Sequence, residues 1–390
     1  MARTVRHVCF VITSFVHYSR NLLILRELRK RKDVKLSILV GGSALVSKYT
    51  SSYGSTLELL ARDGFKHVHP AHFTLEGDSV AVKTKTAGLG IIECASVFGM
   101  LRPDLVMVRG DRFEVLSAVV AAAYMSIPVA HIEAGDTSGT IDESVRHAIT
   151  KLSQIHFTTH QDAARRVRAM GEDPAFIFDV GSPDAEIATV LARRPSRRFD
   201  VNRTGSGAEV DLSKPYVMVR FHPVWSETPE QMKLQTQLLL EAVHGHGLQA
   251  LWFWPNDDSG AETISHTLRV FNDRVPGHRI RFLRDLPPAM FISLLARTRC
   301  LIGNSSAGVK ECSVLGIPVV NVGGRQGARK RAANVIVVRA SARALRLAIS
   351  RQARAPRYPR SDLYTRKGTA RTIARIAATV LLYTQKSFHD

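Results

Sequence analysis

Cysteine is scarce in this 390-residue chain: Cys9, Cys94, Cys300 and Cys312 are the only four, and none stand in a CxxC spacing. So few thiols build neither a disulfide framework nor a thiolate zinc site, and a reducing compartment, the cytoplasm, is the expected setting. Long apolar runs are missing too. The most apolar window, residues 115–132, is interrupted by Ser117, Ser126 and Pro128, whereas a membrane span needs about 20 apolar residues. The basic residues 1–7 lead into a short strand-like run with no small-residue cleavage site after it, so no signal peptide is expected. Aromatic residues are only 7% of the chain. Acids are few beside bases: 34 Asp and Glu face 54 Lys and Arg, a net charge of +20.

Such a charge suggests nucleic acid, but its location argues otherwise. Residues 325–376 hold 15 Lys and Arg against the single Asp362, a net +14, while residues 377–390 are neutral. The first 324 residues therefore carry only +6. With no nucleic-acid-binding motif in the sequence, nucleic acid is not the expected partner. What remains is an ordinary globular composition, 45% hydrophobic, with a mean hydropathy of −0.03, long enough for two domains.

Short β-branched runs alternate with amphipathic helical stretches. Residues 7–13, 35–40, 105–109 and 128–132 read as strands, and residues 21–32 and 113–125 as helices. This βαβ repetition predicts a parallel sheet covered on both faces. A polar stretch, residues 193–214, follows Gly181-Ser182-Pro183 and reads as a linker. Strands then resume at 216–221, 250–254, 280–282, 299–303 and 318–322, and a last helix covers 369–383. The expected fold class is α/β: two Rossmann-like domains with parallel sheets facing a central cleft. The expected boundaries are 1–190, a linker at 191–214, a second domain at 215–368 and a terminal segment at 369–390. Ligands bind such folds at the carboxyl ends of the strands.

Five strand ends carry polar groups in excess of packing needs. Arg109-Gly110-Asp111-Arg112-Phe113-Glu114 follows a strand and opens a helix, so Asp111 either caps that helix or reaches the cleft. His131-Ile132-Glu133 ends the next strand, and a glycine-containing loop delivers Asp142 to a helix start. Carboxylates crowded together raise one another's pKa values, which suits acid/base work. Phe221-His222-Pro223-Val224 ends the first strand of the second half, where His222 is either a packed core histidine or a cleft residue. Residues 252–258 end another, with Asn256 and Asp258. Gly303-Asn304-Ser305-Ser306-Ala307-Gly308 precedes a helix with Glu311, a pattern suited to a phosphate, and Arg325 lies beyond the next strand.

Taken together these stretches resemble the UDP-N-acetylglucosamine 2-epimerase family, and within it the hydrolysing branch of sialic-acid and nonulosonate pathways. The resemblance runs from about residue 7 to 383 and is most specific at Gly139-Thr140-Ile141-Asp142 with Ser144-Val145-Arg146-His147. It implies a GT-B-like fold, with the last helix crossing back to the first domain. The implied reaction eliminates UDP across C1–C2 of the sugar to give a glycal, then adds water to give N-acetylmannosamine and UDP. It also implies acid/base roles for Asp111, Glu133 and Asp142, with His222 facing the departing diphosphate. Substrate contacts fall to Arg112, Arg146, His147, Asn256, Ser305 and Ser306, with Glu311 at the ribose and Arg325 at the nucleotide. The family implies a UDP-sugar substrate, a homodimer or homotetramer, and no metal or redox cofactor. Where the family has an Asn-Arg-Ala-Asp-Tyr-Ser pattern, this chain reads Ser14-Phe15-Val16-His17-Tyr18-Ser19. Phe15 thus replaces an arginine, and Arg20 or His17 are the candidates to stand in for it. A second departure is Tyr364-Thr365-Arg366-Lys367-Gly368, where the family has Tyr-Gly-Asp-Gly. A glycosyltransferase of the same architecture, or a nucleotide-sugar binder without turnover, are the alternative readings.

Overall fold

The computed structural model describes residues 5–196 and 199–390. Residues 1–4 of the basic amino-terminal stretch and 197–198 of the expected linker lie outside the described residues. The first domain is a seven-stranded parallel sheet built from β1 (Arg6–Ile12), β2 (Val34–Val40), β3 (Val68–Pro70), β4 (Leu105–Arg109), β5 (Val129–Ile132), β6 (Ile155–Thr158) and β7 (Ile177–Asp179). Its order is β3-β2-β1-β4-β5-β6-β7, with Val8 opposite Leu105 across the β1–β4 seam. The second sheet holds β8 (Ser206–Gly207), β9 (Tyr216–Arg220), β10 (Gln249–Phe253), β11 (Ile280–Leu283), β12 (Leu301–Gly303), β13 (Val319–Val322) and β14 (Val335–Val338). Its order is β14-β13-β12-β9-β10-β11-β8. Every pairing in it is parallel except that of β8.

These strands are apolar runs because helices cover both faces of each sheet. β4 and β9 are buried along their whole length. Each sheet reverses its winding at one seam, β1/β4 in the first and β9/β12 in the second, and such seams open a crevice at the strands' carboxyl ends. Both seams face the space between the domains. Two elements join the halves. Helix Pro183–Ala192 puts Ile187 into the first domain's core and Ala185 and Ala188 into the second's. Helix Thr369–Thr379 returns Ile373, Ala374 and Ala377, spaced on one helical face, to the first core beside Leu22 and Leu25.

Several boundaries differ from the sequence reading. The first helix begins at Phe15, not residue 21, because Ser14 caps it by accepting from the His17 N–H. His17 and Arg20 therefore sit on helix turns rather than in a loop. Part of the expected linker, β8, is built into the second sheet as an antiparallel edge against β11. The last helix stops at Thr379, and the remaining residues run along the first domain. There Glu172, buried, receives Lys386 at 2.5 Å, Lys151 at 2.7 Å and the His156 Nε2 at 2.9 Å. Burial opposes the charge on Glu172, yet these three donors outweigh it and hold the carboxyl down at about 2.

This cluster fastens the carboxyl-terminal tail. A carboxylate depressed on folding stabilises fully above its ordinary value of 4.5 and loses that contribution as pH falls towards about 2. Glu172→Gln is expected to lower stability by roughly 3 kcal/mol near neutral pH and to expose the tail to limited proteolysis. Below the folded pKa the variant and the parent should melt alike.

Candidate active site

The cleft between the two seams gathers the polar strand ends. Its wall includes Asp111, Arg112, Glu133 and Asp142 from the first domain, and His222, Asn256, Asp258, Ser305, Ser306 and Arg325 from the second. Phe113 and Trp225 meet edge to face on this wall, with ring centroids 6.3 Å apart.

Asp111 does not cap the helix that follows. Arg112 holds the cap position without a side-chain bond, and Asp111 turns instead to the fully buried Arg146 guanidinium. Burial and neighbouring cations push Arg146 well below its ordinary pKa. A second donor of Arg146 reaches the Asp136 carbonyl at 2.9 Å. The Asp111 loop is set by Gly110, at φ +83°, whose carbonyl accepts from the His131 Nε2 at 2.9 Å. His131 is buried, which lowers it to about 4, so it serves as a neutral prop.

Glu133 follows β5 directly, at φ +72°, a left-handed backbone rare outside glycine. That turn aims its carboxylate at Arg109, 2.9 Å away, and at the Lys310 Nζ. Burial alone would raise Glu133, but Arg109, Lys310 and Arg329 hold it well below the usual carboxylate range. Asp142 differs. It stands in the first turn of helix Ile141–Leu152 and accepts from the Thr140 hydroxyl at 3.0 Å. Burial and the nearby Asp258 push it up, with Arg325, 4.0 Å away, pulling back. Two carboxylates on one wall thus have opposite proton affinities.

His222 is buried and pushed well below its ordinary value by burial and by Arg325, Arg220 and Arg20. Its Nδ1 accepts from the Asn256 N–H at 3.2 Å, which leaves the proton of the neutral ring on Nε2. Asn304 clamps its backbone from both sides, accepting from the His222 N–H and donating to the His222 carbonyl, each at 2.8 Å. Gly303, at φ +129°, lets β12 approach so closely that an added Cβ would lie 2.0 Å from the Arg220 carbonyl. Ser305 uses its oxygen to cap a short turn, and the expected helix containing Glu311 is only five residues long.

Arg20, on the first helix, reaches across the cleft to Ser306 at 3.1 Å and Glu311 at 3.0 Å. It also lies 3.5 Å from Asp184. His17 stays in the first domain, 3.1 Å from Thr13, and burial lowers it to about 3. Of the two candidates to replace the missing guanidinium, Arg20 is therefore the charged one aimed at the serines. Phe15 lines the same cleft. Glu311 is raised by burial; its Oε1 meets Arg20, while Oε2 is buried without a partner among the described residues. His147 lies outside the cleft wall, 4.0 Å from Glu143, and Arg146 reaches the wall only through Asp111.

Of the cations along this wall, sequence reasoning missed Lys310, Arg109 and Lys83. Lys310 is buried, extends from the second domain and joins both Glu133 and Asp136 in the first, the latter at 2.9 Å. Arg109 bridges Glu133 and Asp184. Lys83 meets Asp257 at 2.5 Å and Arg112 meets Asp258 at 3.0 Å, again across the cleft. The signal for Lys310 was its place one residue before Glu311. Asp184 had the Ser182-Pro183 helix start.

This geometry accords with what the chain resembles. The family model for UDP-N-acetylglucosamine 2-epimerase matches residues 26–378. A relative from Legionella pneumophila, named UDP-N,N'-diacetylbacillosamine 2-epimerase (hydrolyzing), is 31% identical over 98% of both chains.

The chain belongs to the UDP-N-acetylglucosamine 2-epimerase family.

A Neisseria meningitidis UDP-N-acetylglucosamine 2-epimerase is 30% identical over 80% of this chain and 78% of its own. The Campylobacter jejuni relative named GDP/UDP-N,N'-diacetylbacillosamine 2-epimerase (hydrolyzing) is 26% identical over 85% of this chain and 84% of its own. The names of the Legionella and Campylobacter relatives accord with the hydrolysing branch. Among solved structures, the Methanocaldococcus jannaschii UDP-GlcNAc 2-epimerase in complex with UDP-GlcNAc and UDP superposes with a TM-score of 0.76 at 15% identity, covering 95% of this chain and 99% of that one. At that identity the likeness speaks for the GT-B-like fold.

Asn304 fixes His222 through two hydrogen bonds. Asn304→Ala is expected to destabilise the protein by about 1–3 kcal/mol and to let the His222 ring wander. Thermal melting should show the fall in stability; an unchanged melting temperature would contradict the clamp.

Proposed function

We propose that the chain is a hydrolysing 2-epimerase of a UDP-activated 2-acetamido sugar. The observation that carries this reading is the convergence of Asp111, Glu133 and Asp142 on one cleft wall opposite His222, Ser305, Ser306 and Arg325. A glycosyl transfer has no need of three carboxylates there; an elimination followed by an addition has two proton transfers to make. The relatives named for N,N'-diacetylbacillosamine make its UDP form the first substrate to try, with UDP-N-acetylglucosamine the second.

In this reading UDP lies along the second domain. Neutral His222 donates from Nε2 to the diphosphate, Ser305 and Ser306 bind phosphate oxygens, and Arg20 and Arg325 supply the charge that Phe15 lacks. Fixed donors of this kind stabilise the negative charge that grows as the C1–O bond breaks. Glu311 accepts from the ribose; its unpartnered Oε2 supports that assignment. Asp111 or Glu133 takes the C2 proton, and the electron pair left at C2 forms the C1–C2 double bond of the glycal as UDP departs. Asp142, the carboxylate raised by its surroundings, returns a proton to C2 from the other face while water adds at C1. Groups whose environments drive their pKa values apart divide acid and base roles in this way. No step draws on a metal or redox cofactor. Arg146 and His147 act behind the wall, Arg146 by holding Asp111.

In deuterated water the protein should release UDP and place deuterium at C2 of a manno-configured product. No UDP release from either sugar would refute the reading, and release only with an added acceptor would favour a glycosyltransferase. Asp142→Asn should release UDP but accumulate the glycal, visible by NMR. Because burial keeps His222 neutral, the pH–rate profile should show no limb at its ordinary value of 6.5; a limb there that disappears in His222→Asn would contradict the neutral-donor role.

A further inference from the structure

Beyond Arg325 and Arg329, the surplus of arginine has no task in this cleft. Part of it lies on helix Ala342–Arg354, which packs Leu345, Ala348 and Ile349 inward. Arg343, Arg346, Arg351 and Arg354 all fall on the opposite face and are exposed, with Leu347, 62% exposed, among them. From 339 to 360 the chain holds seven arginines and no acid, and none of these four enters an ion pair among the described residues. Helix dipoles favour cations only at the carboxyl end. Arg351 and Arg354 obey that rule, but Arg343, in the first turn, opposes it, and no acid offsets the cost.

The stripe leads into a second feature. Immediately after the helix, Ala355, Pro356 and Arg357 line a cavity of about 290 Å³ together with Arg297, Arg299 and Lys214. Arg357 and Arg297 are tied to backbone carbonyls of Thr298 and Leu212, and Lys214 lies 3.7 Å from Asp211. This cavity opens beside the starts of β9 and β12, the end of the sheet opposite the substrate cleft.

We propose that helix Ala342–Arg354 and the basic cavity at its end form a docking face for an anionic phospholipid surface. Clustered arginines on one helix face attract such a surface electrostatically. Leu347 projects from their midst as an apolar anchor, which acyl chains reward and nucleic-acid phosphates do not. Tyr358, the one aromatic residue between 339 and 360, is held by Gln352, so the face offers nothing for bases to stack on. A second copy of the chain would bring like charge to like charge in a two-fold contact. The substrate cleft faces away and stays open while the protein is docked.

The test uses the full chain. It is sedimented with vesicles of phosphatidylcholine alone and of phosphatidylcholine mixed with phosphatidylglycerol, at rising salt. Binding is expected only to the mixed vesicles, with release as salt screens the surface. Replacing Arg343, Arg346, Arg351 and Arg354 by Gln should weaken it at least a hundredfold, from roughly fivefold per basic side chain. Melting temperature and UDP-sugar turnover should stay unchanged. Leu347→Ser should speed dissociation with the salt dependence intact. Equal binding to both vesicle types, no binding to either, or full binding by the four-Gln variant would overturn the proposal. So would tighter, stripe-dependent binding to duplex DNA.

Discussion

The cross-cleft ion pairs are the constraint on which the rest depends. Two Rossmann-like domains meeting at their strand ends bring a dozen charged groups into a buried space. Charges taken out of water are costly unless each is paired. Here the pairing runs from one domain to the other: Lys310 to Glu133 and Asp136, Arg112 to Asp258, Lys83 to Asp257, and Arg20 to Glu311. Closing the domains satisfies these groups, and opening them exposes the same groups to water. The pairing therefore defines both the closed shape and the electrostatics within it.

That field sorts the carboxylates. Glu133 is surrounded by cations and stays ionised, whereas Asp142, next to Asp258 and farther from its arginine, holds a proton more readily. Their chemical difference comes from their neighbours: Arg109 of the same domain and Lys310 and Arg329 of the other hold Glu133 down, while burial and Asp258 from across the cleft raise Asp142. A wall with one ionised and one raised carboxyl, facing a neutral histidine donor, is suited to taking a proton from one face of a sugar and returning one to the other.

Much of this was legible in the sequence because seams in doubly wound sheets occur at strand ends, and strand ends here are marked by Gly110-Asp111, His131-Ile132-Glu133, Phe221-His222 and Gly303-Asn304. Alternation of apolar runs gave the two sheets. The interlocking was not legible. Lys310 and Asp184 look ordinary until the fold brings their partners to them, because pairs 174 and 75 positions apart leave no local pattern. Helix starts moved where a capping serine, Ser14, decided the boundary, and β8 was unreadable because two residues pairing with a distant edge carry no period. For the family's arginine lost at Phe15 the sequence offered Arg20 or His17, and only the packed helix shows that Arg20, five residues on, is the one that reaches across the cleft to Ser306.

Charge pairing across the cleft holds the domains together. A double-mutant cycle between Lys310→Met and Glu133→Gln, followed by thermal unfolding, tests it most directly. A coupling energy of about 1–3 kcal/mol, near the upper range for contacting residues, is expected. Additivity of the two substitutions to within about 0.5 kcal/mol would contradict it.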